Sequence, residues 1–242
     1  EEIKSYLGNK ALHPTFLPAT LEDQAIEQAW ARVRIREALN KTTALFADLP
    51  FDPQTGLWRP YEPIILTGEA LTRMPKPGDA LLMAADGILP HGITTFVLDP
   101  EGMLVALGTA MALDPLLPIQ VIDSNCFLNL ATLVCVDNPE HAGRKVLQVE
   151  VDRGTEPREH LQVLKSEIKR IEISAQGKTR VYLSPNSQSN VGMGLTGLGG
   201  WVTVFPSEVG VVIDARGRPL ELFRDKEGRS RQIKDWSWEL DS

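Results

Sequence analysis

The sequence predicts an α/β unit followed by an all-β unit, an antiparallel barrel or sandwich, on three observations. Apolar residues recur at helical spacing only in the first half of the chain. Short apolar runs there alternate with helical stretches across Gly and Pro turns. Beyond Pro118 that period is lost, and runs rich in Val and Ile recur at intervals of about ten residues. The predicted organisation is an α/β lobe over 1–117, an all-β domain over 118–223 and a charged tail over 224–242.

The first predicted element is a helix from Leu21 to Leu39. Thr20 serves as N-cap, and Glu22 and Asp23 suit the positive end of the helix dipole. Leu21, Ala25, Ile26, Ala29, Trp30, Val33 and Ala38 recur at three and four and predict one apolar face, with Arg32, Arg34, Arg36 and Glu37 opposite. Pro14 and Pro18 mark an extended lead, and a Pro- and Gly-rich loop runs from Pro50 to Pro63. Ile64-Ile65-Leu66, followed by Thr67-Gly68-Glu69 and a short helix, reads as a βα unit. A helix is expected at Asp79–Ala85, a strand at Ile93–Leu98, and a helix from Met103 to Leu113 that ends before Pro115.

Strands are then expected at Ile119–Ile122, Leu128–Val136, Lys145–Val151, His160–Leu164, Ile168–Ser174, Thr179–Leu183, Trp201–Phe205, Val209–Ile213 and Arg218–Phe223. Ile168, Ile171 and Ile173, with Val202 and Val204, show the alternation of half-buried strands. The last stretch, from Arg224, is charged apart from Trp236, Trp238 and Leu240.

Composition narrows the function classes. A net charge of −7 argues against nucleic acid or an anionic membrane as the partner. No run approaches the ~20 apolar residues of a membrane helix, and no signal peptide is visible, so a cytoplasmic protein is expected. Cys126 and Cys135 lie in apolar runs and read as reduced core thiols rather than a disulfide scaffold. The chain opens on Glu1-Glu2-Ile3-Lys4 with no methionine, strand or cap ahead of it, which predicts a piece cut from a longer protein.

Catalytic constellations are scarce. His13, His91, His141 and His160 are widely separated and none has a metal-like partner at i+3 or i+4. No HExxH, GxSxG or P-loop occurs. Gly192, Gly194, Gly197, Gly199 and Gly200 cluster, but no Lys-Ser/Thr pair or helix follows, so a flexible strand connection is expected rather than a phosphate loop. Asp86 and Asp99 read as turn or capping residues. Asp214-Ala215-Arg216-Gly217 reads as a hairpin turn in which Gly217 supplies a positive φ. No catalytic or metal-binding residue is assigned.

Three stretches together resemble the C-terminal half of the MutL-type accessory proteins of adenosylcobalamin-dependent glutamate (methylaspartate) mutase, also called GlmL. They are Leu12-His13-Pro14 through Leu39; Ile64 to Leu71 with Asp86-Gly87-Ile88-Leu89-Pro90-His91-Gly92-Ile93-Thr94, Leu98-Asp99-Pro100 and Ala106-Leu107-Gly108; and Gly210-Val211-Val212-Ile213-Asp214-Ala215-Arg216-Gly217-Arg218-Pro219-Leu220. The resemblance implies part of an actin-like ATPase fold and a chaperone-like accessory role beside a cobalamin-dependent mutase. The phosphate-gripping hairpins would lie in an N-terminal ATPase half absent from this chain, so ATP and Mg would bind only the full-length protein. Thr67, Gly68 and Glu69 would form the adenosine motif. Glu69 stands where the family usually has a second glycine, adding bulk and negative charge near a polyanionic ligand. Two functions follow: an accessory ATPase fragment that is not catalytic alone, or a non-catalytic interaction module on a degenerate actin-like scaffold.

Overall fold

The computed structural model describes residues 1–45, 51–52, 57–58, 62–122, 126–154, 156–173 and 179–241. Helices α1 (Glu2–Leu12) and α2 (Leu21–Leu45) precede a short ladder of β1 (Phe51–Asp52) and β2 (Leu57–Trp58). Then come β3 (Ile64–Thr67), α3 (Glu69–Thr72), α4 (Pro77–Ile88), β4 (Ile93–Asp99), α5 (Met103–Ala110) and α6 (Leu116–Ile122). Strands β5 (Leu128–Cys135), β6 (Lys145–Asp152), β7 (Glu159–Leu164), β8 (Ile168–Ile171), β9 (Thr179–Pro185), β10 (Gly200–Val204) and β11 (Gly210–Asp214) follow, and α7 (Lys226–Asp241) closes the chain. Most of the loop predicted at Pro50 to Pro63, and the predicted strand end at Ser174, lie outside the described residues.

The architecture is mixed α/β with two larger sheets. A five-stranded sheet has the order β3-β4-β5-β11-β8, parallel between β3 and β4 and between β5 and β11, antiparallel elsewhere. A four-stranded antiparallel sheet has the order β10-β9-β6-β7. Alternation along the central strands explains the layering. On β5 and β11, Leu133, Cys135 and Val212 point to a cluster with Ala80, Leu81 and Ala84 of α4 and Trp236 and Leu240 of α7. Val134, Val211 and Ile213 point the other way, onto Val149, Val151, Val181 and Leu183 of the four-stranded sheet. The central sheet is thus buried on both faces, and β11 reads as an unbroken apolar run for that reason.

Several expectations are corrected. The four-stranded sheet is open, its edges β7 and β10 unpaired with each other, so no closed barrel forms among the described residues. Strands from either side of Pro118 pair in one ladder, Ile93 opposite Val134 and Leu98 opposite Leu128. The expected boundary at 117 therefore does not interrupt the sheet. Residues 119–122 are helical, because Asp114 Oδ1 accepts the Leu116 amide at 2.9 Å and caps a turn that overrides β-branched propensity. Residues 218–223 form no strand: Arg218 turns inward to Asp214 instead.

The charged tail is helix α7, where Asp225 Oδ2 accepts the Gly228 amide at 2.6 Å as an N-cap. Trp236 and Leu240, four apart, are buried, whereas Trp238 points outward. Helix α1 carries no strong apolar period and was not anticipated.

The face that α2 buries also differs from expectation. Glu27 and Ala31 are buried, while Leu21, Trp30 and Val33 are exposed. The reason lies in α4, which presents Asp79 and Asp86. Gln28 Nε2 donates to Asp79 Oδ2 at 3.0 Å and Arg32 Nε to Asp86 Oδ2 at 3.1 Å, so polar residues decide the helix's orientation.

Candidate functional site

The βα unit expected at Ile64–Leu71 is present. Thr67 ends β3 opposite Asp99 of β4, and Gly68 turns the chain with φ 96° and ψ 142°. An L side chain is strained there, so glycine is needed for the turn itself. The Gly68 carbonyl accepts the amides of Leu71 and Thr72, each at 3.0 Å, and starts α3. That helix is one turn long, so its dipole is smaller than the sequence suggests. Glu69 leads it and pairs with Arg73 at 3.2 Å, both side chains more than half exposed.

Beside this turn lies a cavity of about 500 Å³, within the range of small-molecule sites. Glu69, Ala70, Arg73 and Met74 form one wall. Pro14 and Pro18, the prolines predicted to lead into α2, line it too, with Leu17 between them and Trp30 from α2 itself. At one end Lys10 Nζ sits 2.7 Å from Glu27, which also accepts the Tyr6 hydroxyl at 2.9 Å. Burial and that carboxylate push the Tyr6 phenol upward, so it stays a donor. Of the expected site residues, Glu69 lines the cavity, Gly68 shapes the turn and Thr67 stands on the preceding strand.

The chemistry of this lining fits the base and ribose of a nucleoside better than a polyphosphate. Leu17, Trp30 and Met74 offer apolar and aromatic surface, and Gln24 and Glu27 offer polar edges. The two cations, Lys10 and Arg73, are each already paired with a carboxylate. A triphosphate would meet Glu27 and Glu69 with no cation left over among the described residues of the lining. Lys10, Glu27, Trp30 and Arg73 were not singled out from sequence. Trp30 read as core, and only its misfit with an inward polar stripe, Gln24, Glu27 and Gln28, could have exposed it.

The Asp-Ala-Arg-Gly-Arg stretch sits elsewhere, in a buried ion cluster. Asp214 Oδ1 and Oδ2 accept Arg216 Nε at 2.9 Å and Nη2 at 2.8 Å, and Arg218 Nη2 also donates to Oδ2. Arg216 Nη2 reaches on to Asp86 Oδ1 at 2.8 Å, and its guanidinium lies 4.9 Å from the Trp236 ring centre. Burial by itself would raise the Asp214 carboxyl, but the Arg216 and Arg218 charges and hydrogen bonds hold it well below the usual carboxylate range. Asp214 is therefore an ion-pair centre rather than part of a hairpin, although Gly217 does take a positive φ, of 92°. Asp86 joins that cluster, while Asp99 caps α5, its carboxylate accepting the Met103 and Leu104 amides at 2.8 and 2.9 Å. Cys135 is buried and its thiol is pushed up to about 12 by desolvation, which makes it a poor nucleophile. Cys126, also a free thiol, is half-buried.

Among the described residues, no helix is long and apolar enough to cross a membrane. No protein-family profile, curated protein or solved structure matches the chain.

Proposed function

We propose that this chain is the C-terminal part of a MutL-type accessory protein of the actin-like ATPase superfamily, cytoplasmic and serving a cobalamin-dependent mutase. In this reading the cavity beside Thr67-Gly68-Glu69 takes the adenosine of a nucleotide, and the chain alone does no chemistry. The observation that supports it is the coincidence of the expected adenosine turn with a nucleoside-sized, largely apolar cavity lined by Glu69, Ala70 and Trp30. The phosphate grip and Mg would come from the preceding N-terminal half.

Titration of Trp fluorescence with adenosine is expected to give saturable binding with a Kd on the order of 0.1–1 mM. Trp30→Phe should remove most of the signal change. MgATP should bind this chain no tighter than roughly 10 µM, about −7 kcal/mol, because among the described residues of the lining both cations, Lys10 and Arg73, are already paired. Absence of any adenosine response, or tight MgATP binding, would refute this assignment of the site.

A second reading, the interaction module, is favoured by the segment α5–α6. Val105, Met111, Leu113, Leu116, Ile119 and Ile122 are all more than half exposed, and Asp114 is the one charged residue from Met103 to Ile122. Apolar surface gathered in this way marks a protein contact. The double variant Val105→Asp, Leu113→Asp is expected to change stability by no more than about 0.5 kcal/mol, since both side chains are already in water. If the segment docks onto a partner, the same variant should lower self-association or co-purification of the full-length protein's other half. Unfolding of the variant would instead assign these residues to the core.

A further inference from the structure

A second cavity, of about 710 Å³, opens between the turn after β5, the loop joining β9 to β10, and the segment that follows Gly217. Lys165 lines it from the β7–β8 turn and is only 5% exposed. Its backbone is pinned from both sides, with Lys165 N donating to Arg144 O at 2.8 Å and Gly143 N donating to Lys165 O at 3.1 Å. Nζ donates to the Asn138 carbonyl at 2.7 Å, and among the described residues no carboxylate pairs with it. An ammonium has three donors and a full charge, and burying it against a single neutral carbonyl is costly.

The neighbourhood adds to the imbalance. Arg218 lines the same cavity with its side chain 8% exposed, and its buried Nε has no hydrogen-bond partner. Behind it, the buried carboxylate of Asp214 and the half-buried one of Asp86 are shared among Arg216, Arg218 and Arg32. Neither of these carboxylates pairs with Lys165. The wall that carries Asn138 is polar and tied together by hydrogen bonds. Asn138 Nδ2 donates to Ser189 Oγ at 2.6 Å, Ser189 Oγ donates to Val146 O at 2.7 Å, and Asp137 and Asn190 exchange backbone hydrogen bonds at 2.9 and 2.8 Å. Ser187 and Thr196, both exposed, line the same cavity.

We propose that this cavity binds a small polar carboxylate, its anionic oxygens taken by Lys165 Nζ and its remaining polar groups by the Ser187, Asn190 and Thr196 side chains. A carboxylate matches one unpaired ammonium in charge. A phosphate dianion would bring excess charge past Asp137 and Glu221, which also line the opening. The site shares none of its lining with the cavity beside Glu69, so it stands whether or not nucleoside binds there.

The test uses protein carrying 13C at lysine Cε, with the Lys165 resonance identified by its loss in Lys165→Met. Titration with lactate, a monocarboxylate with one hydroxyl, should move that resonance saturably, whereas inorganic phosphate at equal ionic strength should move it no more than chloride does. Thr196→Val keeps the reporter lysine and should weaken lactate severalfold, and Lys165→Met should lose at least about tenfold in affinity by calorimetry, the loss of one charge-assisted hydrogen bond. Should Lys165→Met fail to fold, Ser187→Ala and Thr196→Val on the exposed wall carry the comparison, with the resonance assigned through bonds. A Lys165 resonance indifferent to lactate overturns the site, and an equal response to phosphate overturns its assignment to a carboxylate.

Discussion

Asp214→Ala is expected to lower the free energy of unfolding by about 3–5 kcal/mol at neutral pH, the largest effect of any single change considered. The magnitude follows from what the carboxylate leaves behind. Arg216 is 1% exposed and receives two hydrogen-bond acceptors from Asp214, and Arg218 receives another. Without Asp214, Arg216 keeps Asp86 as a carboxylate partner and Arg218 keeps none among the described residues, and the desolvation already spent on both is no longer offset. Asp214→Asn keeps the shape but loses the charge, so it should recover only part of the loss.

The pH dependence has a definite sign. The folded Asp214 carboxyl is held below its unfolded value near 3.9, so its stabilisation is fully present above about pH 4–5 and fades as the pH falls through the lower folded value. Urea denaturation at pH 7 and near pH 3 should therefore show the gap between parent and Asp214→Asn narrowing toward acid. A gap that stayed constant would mean the charge is not what Asp214 contributes.

Gly192→Ala is expected to cost about 2–4 kcal/mol, from strain at a positive φ together with backbone overlap. Gly192 has φ 82°, and a Cβ placed on it would lie 2.4 Å from Gly92 Cα. Gly92 itself precedes β4, and its carbonyl accepts the Cys135 amide at 2.8 Å, so it cannot retreat without disturbing the central sheet. The glycine-rich stretch is here a close approach of two backbones rather than a loose connection. Gly102→Ala provides the control: its φ is also positive, at 65°, but nothing lies within 4 Å of the added carbon, so strain alone acts there. If chemical denaturation found the two variants equally destabilised, the contact with Gly92 would carry no weight.

What the sequence determined by itself is the local part of the structure. The runs at Ile64, Ile93, Leu128, Lys145 and Thr179 are strands because β-branched and apolar residues sit between turn-forming ones, and that information is contained within each run. The turn at Gly68 was legible for the same reason, since a strand, a glycine and a short helix are contiguous. The Asp99 cap of α5 lies within five residues of the amides it serves.

Only the tertiary structure decided which faces are buried and which charges meet. Trp30 lies on the apparent apolar stripe of α2, yet Asp79 and Asp86, which lie 51 and 54 residues beyond their partners Gln28 and Arg32, turn the polar stripe inward. Asp214 and Gly217 look like a turn until Arg216 reaches Asp86, 130 residues away, and Trp236 closes over it from the last helix. Lys165 is unremarkable in sequence because the unpaired state of its ammonium is a property of the Asn138 carbonyl, the Gly217 segment and the absence of any carboxylate partner among the described residues. Hydrophobic periodicity reports how much apolar surface an element offers. A buried ion pair is worth several kcal/mol when broken, and here its partners are set by chain crossings that no local window contains.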